Sequence, residues 1–179
     1  MPDWTTFYVA VAGASATLAG LLFVAIQINL DTLVSDPGNR WRATARSSFA
    51  IYTLLVVVSL LLLIPDLDQY SQGVVLMIAA VFGVVRAVRT WWPVLVGSWQ
   101  HHSERLAQTV WYLVGPSMAY VALFIFGIKV YSGSDMNSAR QSVGFIFVVL
   151  FVLVLRNSWN LIFEVAYERK QQQINNPKK

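Results

Sequence analysis

The sequence predicts an all-α integral membrane protein, a helical bundle with five transmembrane helices. Three observations predict it. Hydrophobic residues make up 56% of the 179-residue chain and charged residues only 12%, about half the ~25% usual in soluble domains. Five apolar runs are nearly free of charge, each close to the ~20 residues that a helix needs to cross a bilayer. The 13 Lys and Arg residues sit mostly at the borders of these runs rather than across a soluble face.

Taken in order, the runs predict spans at about 5–30, 45–65, 73–93, 107–130 and 142–164. The first lies between Asp3 and Asp31, the second between Arg46 and Asp66. The third is free of charge from Gly73 to Val85 and continues through Arg86 and Arg89 to Trp91-Trp92-Pro93. The fourth lies between Arg105 and Lys129, with Gly115-Pro116 predicting a bend. The fifth is broken only by Arg156. Ser35-Asp36-Pro37-Gly38-Asn39, Pro65-Asp66 and Ser132-Gly133-Ser134-Asp135 carry turn chemistry between them. One transmembrane domain, 1–170, is expected, followed by a disordered cytoplasmic tail, 171–179, rich in Gln, Asn and Lys.

Lys and Arg concentrate on the cytoplasmic side of membrane helices. With five spans, ten basic residues fall on one side and only Lys129 and Arg140 on the other, with Arg156 inside a span. The N-terminus is then outside and the C-terminus cytoplasmic. A four-span alternative, with the third run re-entrant, divides the basic residues seven to five at best and is the weaker arrangement. Trp4, Trp41, Trp91, Trp92, Trp99, Trp111 and Tyr131 fall near the predicted boundaries, where amphipathic rings prefer to sit. Trp159 lies within a span. Met1-Pro2-Asp3-Trp4 offers no basic stretch, so a cleaved signal is not expected.

The residues exclude several kinds of chemistry. There is no cysteine, so no disulfide, thiolate metal site or thiol nucleophile. His101-His102 are adjacent, hence on different helix faces, and no third ligand accompanies them. Phosphate loops, nucleophile elbows and zinc-protease motifs are absent. No enzyme, metal or cofactor is expected. The pI near 9.6 does not indicate nucleic acid, because the basic residues border membrane spans.

Two constellations remain. Ala12, Ala16 and Gly20 recur at every fourth position of the first span, with Gly13 and Thr17 beside them. Small side chains let helix backbones approach closely in lipid, which predicts packing at the centre of the bundle, a subunit seam or a pore lining. That helix turns polar at its inner end, with Gln27 and Asp31 on one face and Asn29 on another. In the fifth span Arg156, Asn160 and Glu164 form one polar stripe, with Asn157 adjacent and Arg156 about 10 Å from Phe163 at 1.5 Å per residue. Arg86 and Arg89 share a face of the third span. The three arginines are expected to converge in the inner leaflet near Asp31 and Glu164, with Arg156 either bridged to Glu164 through Asn160 or water or paired with Asp31. An arginine at such depth costs a few kcal/mol unless it snorkels, pairs or meets water.

Phe7-Tyr8-Val9, followed by Gly13-Ala14-Ser15-Ala16-Thr17-Leu18-Ala19-Gly20-Leu21-Leu22-Phe23-Val24-Ala25, resembles the first helix of a family of small bacterial multi-pass membrane proteins with no assigned function. The resemblance covers that helix alone and implies a bacterial plasma (inner) membrane. The functional expectation is a small homo-oligomeric channel, anion-preferring through its arginines. The alternative is a non-conducting accessory subunit that binds a larger membrane complex or anionic lipid.

Overall fold

The computed structural model describes residues 4–30, 40–98, 104–133 and 136–175. It is all α: α1 Trp4–Ile28, α2 Arg40–Leu62, α3 Gln69–Ser98, α4 Glu104–Tyr131 and α5 Met136–Asn175. All five are long and apolar enough to cross a membrane, over Trp4–Ile28, Trp41–Leu62, Gln69–Thr90, Val114–Tyr131 and Gln141–Tyr167. The third run is therefore as long a helix as the others, which sets the four-span arrangement aside. α5 is 40 residues long, roughly 60 Å at 1.5 Å per residue and twice the ~30 Å of a hydrocarbon core. It includes 171–175, where the sequence read as an unstructured end; 176–179 lie outside the described residues.

Helices α2, α3, α4 and α5 form a ring in which each packs against the next and α5 closes on α2. The first helix lies outside this ring, seated mainly on α2 and more lightly on α5. Its richness in small residues thus does not place it at the centre of the bundle. α2 and α5 have the most partners, α2 touching α1, α3 and α5 and α5 touching α1, α2 and α4. Leu55, Leu123, Phe147, Leu150 and Val154 fill the interior and are fully buried. The outer surface is just as apolar: Phe145 is 70% exposed, while Phe147, two residues on, is 0% exposed. Water would penalise such a surface; lipid does not.

The closest backbone approach is between α3 and α4. A Cβ on Gly73 would lie 2.7 Å from the Tyr131 nitrogen, and one on Gly127 would lie 2.9 Å from Met77 Cγ. Farther along, a Cβ on Gly83 would lie 2.6 Å from the Tyr120 ring. With no hydrophobic driving force between helices in lipid, dispersion contacts of this kind hold them together. α4 runs unbroken through Pro116, whose missing N–H leaves one carbonyl of the preceding turn without its helical donor.

The connections obey local rules. Asp66 follows Pro65 in the left-handed region at φ 58°, a conformation Asp tolerates better than most residues. Gly133, at φ 76°, lies just past the end of α4, where its amide donates to the Val130 carbonyl at 3.3 Å, as helix-terminating glycines do. Asp68 caps α3: its carboxylate accepts from the Ser71 hydroxyl at 2.6 Å and the Ser71 amide at 3.2 Å.

These bonds, the Ser71 hydroxyl first, hold the Asp68 carboxyl below the ordinary carboxylate range. The stability it contributes is present above the unfolded value and lost as pH falls through the lowered folded one. Asp68→Asn, which keeps a capping oxygen but cannot titrate, is expected to remove this acid dependence while preserving slow amide exchange at the start of α3. Asp68→Ala is expected to lose both. An unchanged acid response in Asp68→Asn would contradict the assignment.

Candidate functional site

The small-residue face of α1 divides in two. Ala12 is buried against the bundle, as are Tyr8, Ser15 and Leu22. Gly13, Ala16, Thr17 and Gly20 point away from it and are exposed. A Cβ added at Gly13 or Gly20 would meet nothing within 4 Å. The Thr17 hydroxyl donates to the Gly13 carbonyl of its own helix at 2.9 Å, a bond that satisfies a hydroxyl inside a membrane. The face is smooth and apolar, and it continues to exposed Gln27 at the end of the helix. Asn29 turns aside, its side-chain amide bonded to the Ala25 carbonyl at 3.0 Å.

The arginines do not converge. Arg86 and Arg89 are exposed on α3, whereas Arg156 is exposed on α5, and these helices occupy opposite corners of the ring. Direction around the bundle was not legible from the sequence, because apolar residues surround every helix. The apolar window of α5 reaches Tyr167, so Arg156 lies roughly 16 Å from that end at 1.5 Å per residue, deeper than the ~10 Å expected. Glu164 is exposed on the same helix, Asn160 half-buried and Asn157 buried. Asn157 therefore belongs to the interior, beside buried Ser158. Asp31, one partner expected for Arg156, and His101-His102 lie outside the described residues. So do the turn expected at 35–39, Trp99, Ser134 and Asp135.

Between the helices the surface opens into lateral grooves. The α4/α5 groove, about 520 Å³, is lined by Gly115, Met118 and Phe145 and carries Gln141 and Ser142 at one end. The α2/α3 groove, about 430 Å³, has apolar walls and Arg86 in its lining. The Arg86 guanidinium lies 5.8 Å from the centre of the Phe82 ring, within reach of a cation–π contact. Sequence reasoning did not pair Arg86 with α2; the available signal was Arg46 with Phe49, Ala50 and Thr53 on one α2 face.

Among the described residues no cluster of three or more His, Asp or Glu side chains is placed to hold a metal. The arrangement offers an open helix face, outward-facing arginines and side-opening apolar grooves. Surfaces of this kind can support binding and association within a bilayer. No family model, no curated protein and no solved structure matches the chain; its five long apolar helices make it a multi-pass helical membrane protein.

Proposed function

We propose that this protein is a small oligomeric membrane channel, its copies meeting through α1 and its conduction path running between copies. The open face of Gly13, Ala16, Thr17 and Gly20 carries this reading. A helix seated on its own bundle by one side, with a smooth small-residue stripe on the other, is suited to a second helix at close range. The interior of one copy is filled by Leu55, Phe147 and Leu150, so a path within a single chain is not favoured. Basic residues at one end, Arg86 and Arg89 among them, would favour anions there. The positive-inside bias would set that end in the cytoplasm, and the resemblance of α1 supports a bacterial inner membrane as its setting.

Gly13→Leu and Gly20→Leu test the seam, because a Cβ at either position has nothing within 4 Å in its own subunit. Both variants are expected to keep the thermal stability of the monomer in detergent while losing the oligomer and its anion flux in liposomes. A wild-type protein that is monomeric and non-conducting sinks the proposal.

Arg156 favours a second reading, that of an accessory subunit. An exposed arginine so deep in a span is costly against lipid and less so against a partner protein. Stoichiometric co-purification of another membrane protein, lost in Arg156→Leu, would favour this alternative.

A further inference from the structure

The α2/α3 groove has the dimensions and chemistry of a lipid site. Its α2 wall runs from Phe49 to Leu61 and its α3 wall from Val75 to Arg86. Twelve helical steps on α2 make roughly 18 Å at 1.5 Å per residue, close to half of a ~30 Å hydrocarbon core. The groove is therefore about one leaflet long. Phe49, Val57, Ile78 and Phe82 give it a continuous apolar lining that opens sideways.

Its charge is confined to one end. Arg86 is part of the lining, steered over the groove by its contact with Phe82. Arg89 continues the same α3 stripe one turn on, seven residues from Phe82. On α2, Arg46 stands three and four residues before Phe49 and Ala50, so it shares their face. Arg46, Arg86 and Arg89 are all exposed. Neither α2 nor α3 contains an Asp or Glu, so nothing on the two walls neutralises these guanidiniums. An apolar trough one leaflet deep, topped by arginines with no acid on its walls, complements one kind of occupant: an acyl chain carrying an anionic phosphate head.

We propose that the α2/α3 groove binds an anionic phospholipid, an acyl chain lying along Phe49–Leu61 and Val75–Phe82 and the phosphate held by Arg86 with Arg46 and Arg89. Planar guanidinium forks match phosphate oxygens, and a basic side chain near an anionic head group contributes about 1 kcal/mol. The proposal is independent of the α1 seam, because the groove is formed by two other helices.

The test is titration of the purified full chain in detergent with dioleoyl phosphatidylglycerol, dioleoyl phosphatidylcholine or glycerol phosphate, with bound lipid counted by native mass spectrometry. The phosphatidylglycerol is expected to bind more tightly than the phosphatidylcholine, and glycerol phosphate not at all. Arg86→Gln is expected to weaken the phosphatidylglycerol by about fivefold, the factor that ~1 kcal/mol represents. Ala50→Phe, which fills the apolar trough and leaves every arginine in place, is expected to displace the same lipid. Lys170→Gln, an exposed charge on α5, is expected to change nothing. Equal binding of the two lipids overturns the proposal. So does full binding by a folded Ala50→Phe, which would make the attraction one of surface charge, or binding of glycerol phosphate as tight as that of the lipid.

Discussion

Gly73→Ala is expected to destabilise the bundle by about 1–3 kcal/mol, the usual cost of forcing a methyl group into a filled space. The added carbon would stand 2.7 Å from the Tyr131 nitrogen and 2.8 Å from its Cα. These are backbone atoms, which no rotamer change can move, so α3 and α4 would have to separate. Gly83→Ala meets a different obstacle: the Tyr120 ring, at 2.6 Å. Its cost is therefore expected to fall when Tyr120 is shortened to leucine, whereas no shortening of the Tyr131 side chain rescues Gly73→Ala. A double-mutant cycle on unfolding in detergent reads both couplings. If Gly83→Ala costs the same with and without the Tyr120 ring, the close approach is not what holds the α3–α4 pair.

The second large effect belongs to Phe147, fully buried with its ring centre 6.2 Å from that of Tyr8. Phe147→Ala opens a void of roughly 100 Å³, and at ~24 cal/mol per Å³ the loss is about 2.4 kcal/mol. That lies below the ~3–5 kcal/mol usual for Phe→Ala in soluble cores, because a helix parted from its neighbours in a bilayer still sits in hydrocarbon and the transfer from water drops out. Phe145→Ala is expected to be near neutral, since that ring already faces outward. Similar losses at the two positions would mean that this assignment of inner and outer faces is wrong.

The same pair of phenylalanines explains what the sequence could and could not convey. Where the helices lie was legible, because each run stays apolar for about the length of a span and turn residues separate one run from the next. Which way each helix faces was not: Phe145 and Phe147 are the same residue, and in lipid the outside is as apolar as the inside. Small residues then drew attention to α1, where Ala12 alone of the five candidate packing positions is buried in the bundle. The decisive glycines, Gly73, Gly83 and Gly127, stand singly in runs of larger residues, and only a facing helix reveals their use. The arginines followed the same rule. Arg86 and Arg156 lie on helices that do not pack together, and the wall that α2 adds beside Arg86 was invisible without a fold.

The seat of α1 has a consequence in time. The Trp4 ring comes within 2.9 Å of the Cβ position of Gly144, and Leu22, Ala25 and Ile26 border the same crevice as Leu161 and Val165. α1 thus completes its docking only against α5, which is synthesised after the three helices between them. At ~5–20 residues per second, the 140 positions between Trp4 and Gly144 separate them by on the order of ten seconds. Throughout that interval α2 alone can hold α1 in place, and a nascent neighbouring copy has the same interval in which to reach it.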